Sequence, residues 1–233
     1  MTTKRTVDRR LQRDAGLPAV APWAKAGKSQ IINRQLKMLK TLIYPFTRAS
    51  VRRLKVGERV LLSGRIFTGR DRLHKFLAEG GPAHRSPLGE GGRAPVSLKN
   101  GAIYHCGPVV IRKKGRWRVR AAGPTTSIRE EPYMAAIIKQ HGLTVIIGKG
   151  GMGKATRQAC RRYGCVYLHA VGGAAQVLAD TVKKVCGVHF HKTFGPTEAL
   201  WELEVVDFPC LVTMDARGHS LHAVIAKRLE AKI

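Results

Sequence analysis

Acidic residues are scarce in this chain. Only 15 Asp and Glu stand against 42 Lys and Arg over 233 residues, a formal net charge of +27 with the histidines neutral. That excess is more than solubility requires and points to a polyanion, or at least an anionic ligand. Cysteine is also sparse: five, irregularly spaced, exclude a disulfide scaffold and fit a reducing, intracellular setting. No apolar run approaches the roughly 18 to 20 residues that a spanning helix needs, the best being Leu143 to Ile147, so no membrane span is expected. No apolar h-region precedes a small-residue cleavage site at the N-terminus. Nucleophile elbows of the G-x-S-x-G kind, zincin H-E-x-x-H helices and Cys/His pairs of known spacing are all missing. What remains, 44% hydrophobic residues with 25 Gly and 11 Pro, is ordinary globular composition, which excludes a collagen, a coiled coil and a wholly disordered chain.

Charge divides the chain. Residues 1–55 hold 14 Lys and Arg but only Asp8 and Asp14 as acids. Such a leader reads as an uncleaved basic arm or as an organellar targeting segment, which leaves the compartment cytoplasmic in the first case and mitochondrial in the second. From Leu54 the texture changes to turn, strand, glycine kink and strand over Lys55 to Phe67. Glu79 to Pro95 is crowded with Gly and Pro and predicts an exposed loop. Short strands are predicted over Ala102–Cys106, Val109–Ile111 and Trp117–Ala121, the last two joined by a turn at Lys113-Lys114-Gly115. Elements then alternate: helix Glu130–His141, strand Leu143–Ile147, helix Lys154–Tyr163, strand Cys165–Ala170, helix Ala174–Val185. Late strands are predicted over Leu203–Val206 and Cys210–Met214, with a closing helix from Ala223 to Lys232. Strands separated by helices argue βαβ crossovers, a parallel layer and an α/β fold with an early β-rich half.

Three clusters carry polar chemistry. Gly148-Lys149-Gly150-Gly151-Met152-Gly153 lies between a predicted strand and a predicted helix, where backbone N–H groups and the helix dipole favour an anion. It matches a dinucleotide fingerprint formally, yet the following strand ends without the acid that would hold a ribose. It matches a phosphate loop as far as Lys154, but Ala155 stands where Ser or Thr must bind magnesium. What survives is a glycine loop carrying one lysine toward an anion, against a tight structural turn. Gly123-Pro124-Thr125-Thr126-Ser127-Ile128-Arg129 sets three hydroxyls and a guanidinium before a helix, as caps or as a carboxylate clamp. Thr68-Gly69-Arg70-Asp71-Arg72-Leu73-His74 reads as a strand end followed by a capped helix. Cys160 and Cys165 have C-x4-C spacing without further ligands, and His189 and His191 lack a third ligand, so neither pair makes a metal site.

Taken in order, six segments resemble the C-terminal domain of class I fumarases and the β subunit of L(+)-tartrate dehydratase: LKVGERVLLSGRIFTGRDRLH, GAIYHCGP, AGPTTSIREEPY, IIGKGGMG, VYLHAVGGAA and ALWELEVVDFPCLVTMDARGHSLH. The resemblance runs from about Tyr44 to His222, which implies a basic extension over residues 1–43, the family domain over 44–222 and a helical tail over 223–233. It implies a swivelling β/β/α domain working against an α subunit whose three cysteines hold a [4Fe–4S] cluster, with no metal in this chain. It also implies that Thr125, Arg129 and Lys149 are catalytic, that Arg70, Thr126, Gly148 and Gly150 bind substrate, and that Asp71 and His74 support them. The reaction would add water to, or remove it from, a small hydroxy-dicarboxylate, and cations suit the negative charge that accumulates in its transition state. Departures from the family pattern are the order Phe194-Gly195-Pro196-Thr197-Glu198-Ala199 and a strongly basic hairpin with Arg112, Lys113, Lys114, Arg116, Arg118 and Arg120 around Trp117. The hairpin, the basic arm and the net charge leave an alternative open: a repurposed domain that binds RNA or a ribonucleoprotein assembly, with Trp117 able to stack on bases.

Overall fold

The computed structural model describes residues 39–79 and 94–230, so most of the basic arm and most of the predicted Gly/Pro-rich loop lie outside the described residues. The order of elements is β1 (Leu39–Ile43), α1 (Arg48–Val51), β2 (Arg59–Gly69), α2 (Asp71–Glu79), β3 (Ala102–His105), β4 (Val109–Lys113), β5 (Arg116–Ala121), a 3-10 turn (Ser127–Glu130), α3 (Glu131–His141) and β6 (Val145–Gly148). Then follow α4 (Lys154–Tyr163), β7 (Val166–His169), α5 (Ala175–Asp180), β8 (Val182–His189), α6 (His191–Phe194), β9 (Leu200–Met214) and α7 (Leu221–Glu230). The fold is mixed α/β, as the alternation of periods predicts.

The predicted parallel layer is present and it closes on itself. Strands β2, β3, β6 and β7 run parallel in that order, and β9 pairs antiparallel with both β7 and β2, making a five-stranded barrel. Closure depends on β9 being long. The sequence predicts two strands with a break before Pro209, whereas one 15-residue strand passes through, with the break absorbed by Asp207 at φ +53 opposite the irregularity at Leu62/Gly64. Asp207 N–H donates to Ser63 Oγ (2.9 Å), which ties the two strands at that point. Gly64 takes φ +118 there, and a Cβ on it would collide with Tyr44, so the kink requires glycine. β1 pairs parallel with the first half of β2, inside the stretch the sequence assigns to the basic extension.

The two-residue period of the strands sorts the core into two layers. Ala102 and Tyr104, Val145 and Ile147, and Val166 and Leu168 join one cluster with Trp201, Leu203 and Val205, filling the barrel. Ile103, Ile146 and Tyr167 join the other with Leu73, Leu77, Met134, Ile137, Ile138 and Cys160, beneath α2, α3 and α4. His105 and Gly148 continue the second phase, so the ends of β3 and β6 face the helical layer. Gly142 and Gly164, at φ +63 and +74, end α3 and α4.

One predicted element is overturned. The helix expected over Ala174–Val185 stops at Asp180, and Val182–His189 is a strand against β9. Tertiary pairing wins because Val182, Val185 and Val188 pack on the barrel cluster from one side of an extended segment. The hairpin β4/β5 forms a separate two-stranded sheet with left-handed Lys114 and Gly115 at its tip, as the turn signal predicts. Among the described residues no helix is long and apolar enough to cross a membrane.

Candidate active site at the barrel rim

The parallel strands β2, β3, β6 and β7 all end at one rim, which carries Arg70, Asp71, Thr125, Thr126, Arg129, Gly148, Lys149 and Gly150, with His74 beneath it. β2 hands over to Arg70 and Asp71, β3 ends at His105, and β6 ends at Gly148 and continues into Lys149 and Gly150. The segment from Gly123 to Arg129 crosses these ends. Thr125 donates its N–H and its Oγ1 hydroxyl to the His105 carbonyl, at 2.7 and 3.1 Å. Thr126 is bridged to Lys149, and Ser127 N–H donates to the Lys149 carbonyl at 2.9 Å. Gly148 must be glycine because a Cβ would collide with Ser127 Oγ. Gly150 is exposed at φ +81, beside the Thr126 methyl group. The Lys149 stem runs toward Gly172 in the loop after β7, and among the described residues it has no ion-pair partner.

The two arginines are held by the chain's own acids. Arg129, half exposed, is paired with Asp71, and Arg70 Nε lies 3.7 Å from Glu198, which also accepts the Arg72 N–H at 3.0 Å. The Arg70 stem lies against Gly107, where a Cβ would be 2.9 Å from Arg70 Cδ. Each guanidinium has five donors, so one carboxylate leaves others unspent.

A buried polar layer lies under the rim, of which the sequence reading names His74 but not its neighbours His105 and Tyr167. His74 is fully buried, its Nδ1 2.8 Å from the Arg70 carbonyl and 3.5 Å from Glu130. Burial drives its pKa down to about 4, so the ring is neutral. It meets His105 edge to face, centroids 4.8 Å apart. His105 Nδ1 is 2.9 Å from Ser127 Oγ, to which Tyr167 donates at 2.9 Å, while Gly151 N–H donates to the Tyr167 oxygen at 3.3 Å. These bonds lock the Thr125–Arg129 segment to β3, β7 and the glycine loop. Only the alternation of faces, which sends His105 outward with Ile103, could have revealed it in sequence.

The glycine loop does receive an anion at its helix end, but that anion is internal. Glu131, the first residue of α3, accepts Gly153 N–H (2.7 Å), Thr156 N–H (3.2 Å) and Thr156 Oγ1 (2.6 Å) and so caps α4. Two cavities lie away from the rim. One of about 330 Å³ is lined by Met152, Lys154, Arg157, Ser220 and His222 on the far flank of the loop. Another, of about 660 Å³, lies at the opposite pole, before β3 and β6.

These ordered segments match known proteins over most of their length. Residues 12–225 match the family described as Fumarase C-terminus. The chain belongs to that family. A Geobacillus stearothermophilus protein provisionally named a class I fumarate hydratase is 50% identical over 188 residues, which is 80% of this chain and 34% of that protein. This chain therefore spans about a third of that relative. A Methanocaldococcus jannaschii protein provisionally named as L(+)-tartrate dehydratase subunit β is 38% identical, covering 80% of this chain and 93% of that one. The L(+)-tartrate dehydratase subunit β of Escherichia coli K12 is 32% identical, covering 80% and 88%. The relatives are thus named as a class I fumarate hydratase and as tartrate dehydratase β subunits, the latter two matched over most of their own length.

Proposed function

We propose that the chain is the β subunit of a hydro-lyase that adds water to, or removes it from, a small hydroxy-dicarboxylate. The observation that carries this reading is the convergence of Arg70, Thr125, Arg129 and Lys149 on one rim. In the elimination direction the proton on the carbon beside a carboxylate passes to a base, the electron pair spreads into that carboxylate and then forms the double bond, and the C–O bond breaks as the hydroxyl takes up a proton from solvent and leaves as water. Arg70 and Arg129 bind and orient the two carboxylates through donors their own acids leave free. Lys149 stabilises the charge that develops, a contribution whose removal typically costs on the order of 3 kcal/mol. The Thr125 hydroxyl donates to the His105 carbonyl; to take the substrate's proton it first gives up its own, and the cations of the rim favour that alkoxide. Thr126, Gly148 and Gly150 shape the backbone around the ligand, and Asp71 and His74 hold the clamps.

A cluster does not fit the described residues. Cys160 and Cys165 are buried together in the helical layer, and among the described residues no three ligands could hold a metal. In this proposal the [4Fe–4S] group belongs to an α subunit, against which the family domain over 44–222 swivels to close the site. All five thiols are free, which suits a reducing compartment, cytoplasmic or mitochondrial. The test is anaerobic co-expression with an iron–sulfur α subunit, followed by ultraviolet assay of fumarate, malate and tartrate. Arg129→Ala should lower kcat/KM by about 10²–10³ without moving the melting temperature. An assembled complex with an intact cluster and no turnover on any of the three would overturn the proposal.

A second reading, RNA binding, is favoured by the opposite pole rather than by the hairpin. Trp117 is half-buried, 5.2 Å from Trp201 and 5.6 Å from His191, so it is packing and not a free stacking platform. The polar cavity, by contrast, is lined by Arg48, Lys99, Lys139 and His141 with no acid, a surface suited to phosphates. Helix ends explain some of these cations, since Lys139 and His141 complement the α3 dipole. Retention on single-stranded RNA that falls steeply with salt, and is lost in Arg48→Glu with Lys99→Glu, supports this reading. No retention at low salt removes it.

A further inference from the structure

The 3-10 turn that carries Arg129 ends in a carboxylic acid buried to 1% exposure, Glu130. Among the described residues no lysine or arginine forms an ion pair with it. Its Oε2 has no hydrogen-bond partner, and the nearest basic atom is His74 Nδ1 at 3.5 Å. The imidazole cannot act as a counter-ion. Its Nδ1 faces the Arg70 carbonyl, which only accepts, so Nδ1 carries the hydrogen of a neutral ring and Nε2 is left bare. The remaining charged groups around Glu130 are Asp71 from α2, whose carboxyl is near enough to share a hydrogen with it, Arg129 from its own turn, and Glu198 from the segment before β9. His105, behind His74, is also buried and pushed well below its ordinary pKa.

Counting charge decides the state. Asp71, Glu130 and Glu198 face the two guanidiniums of Arg70 and Arg129, so three ionised carboxyls would leave one uncompensated in the buried layer. Two carboxyls within hydrogen-bond reach do not both ionise readily.

We propose that Glu130 is a positioning residue, which keeps a proton under working conditions and donates it to Asp71, fixing Asp71 in the orientation that grips Arg129. Burial first, and then the Asp71 carboxylate, raise the Glu130 pKa to about 8. Below that pH the shared proton makes Asp71–Glu130 a single negative unit matched to Arg129. As pH rises through it, a second negative charge appears beside Arg129, the hydrogen bond to Asp71 is lost and the guanidinium is drawn inward. The catalytic consequence, weaker dicarboxylate binding on the alkaline side, rests on the function proposed above; the shared proton does not.

The experiment has two arms. In the full-length chain, a carbon-13 carboxyl NMR titration should show one carboxyl with a midpoint near 8 that vanishes in Glu130→Gln, and the Arg129 Nε resonance should move with the same midpoint. A Glu130 carboxyl titrating between 4 and 5 overturns the proposal, whatever the enzyme does. In the complex with an α subunit, kcat/KM should fall above pH 8. Glu130→Gln, whose amide still donates to Asp71 and cannot ionise, should stay within about 3-fold of wild type at pH 7 and lose that alkaline limb. Glu130→Met, of similar size without a donor, should raise KM about 10-fold at every pH while leaving kcat nearly unchanged. An alkaline limb that persists in Glu130→Gln overturns the positioning role. A wild-type complex without turnover, alongside the titration near 8, refutes the proposed reaction and leaves the shared proton supported.

Discussion

Removing the Glu131 carboxylate tests the claim that the anion of the glycine loop is internal. In Glu131→Ala the amides of Gly153 and Thr156 and the Thr156 hydroxyl lose their acceptor together. Loss of an N-cap costs about 0.5–2 kcal/mol, and the charge at the helix start adds about 0.3–1 kcal/mol. Thr156 is fully buried, so its stranded hydroxyl adds about 1–3 kcal/mol, less whatever water recovers at the half-buried Glu131 site. The total is on the order of 3 kcal/mol, which for a domain of this size lowers the melting temperature by roughly 6–12 °C. Glu131→Gln keeps one acceptor but no charge and should lose about half as much. Because the vacated position is built for a carboxylate, acetate or phosphate should restore part of the loss in Glu131→Ala while leaving wild type unmoved. Thermal melts monitored by circular dichroism read all three. A melting point for Glu131→Ala within about 2 °C of wild type would refute the reasoning, since helix capping could not then be what the carboxylate does.

Two further outcomes follow from the buried polar groups. Thr144→Val removes the hydroxyl that donates to the carbonyls of Phe46 and Gly101, and should cost about 1–3 kcal/mol, seen as a lower urea midpoint with an unchanged slope. Acid should weaken the fold early. The folded chain holds His74 near pKa 4 against an ordinary value of 6.5, so the unfolded chain takes up a proton first and stability falls as pH drops from about 6.5 toward 4. His105 acts in the same direction. His74→Asn, which keeps a donor where Nδ1 stands, should flatten that part of the stability profile in denaturant melts at pH 7 and 4.5.

Sequence exposed what is local and concealed what is cooperative. The glycine loop before Lys154 and Gly164 after Tyr163 bound α4, and the structure has the helix over Lys154–Tyr163. The hairpin turn at Lys113-Lys114-Gly115 was equally legible, because only left-handed residues fit it. The strand at Val182–His189 was not, since its alanine-rich approach favours helix and only pairing with β9 reverses that preference. Barrel closure was hidden for the same reason: it depends on β9 pairing with β2, more than a hundred residues earlier. At the rim, the cationic and hydroxyl residues stood out as types. Their carboxylate partners did not, because Glu130, Glu131 and Glu198 look like surface acids until the chain is folded around them.

Those partners change what the net charge means. At the rim Arg70, Arg129 and Lys149 face Asp71 and Glu198, with Glu130 kept neutral in our proposal, so the local excess is about one positive charge despite +27 over the chain. Among the described residues most of the basic charge therefore lies elsewhere, on the hairpin and on the pole with Arg48, Lys99 and Lys139. A dianion arriving at this rim finds well-oriented donors but only half the compensating charge it needs. In the reaction proposed above, specific orientation is the contribution of this domain, and the missing charge would come from the α subunit. Isolated, the chain should hold a dicarboxylate weakly, and the gain on adding the partner should appear in affinity before it appears in any rearrangement of Arg129 or Lys149.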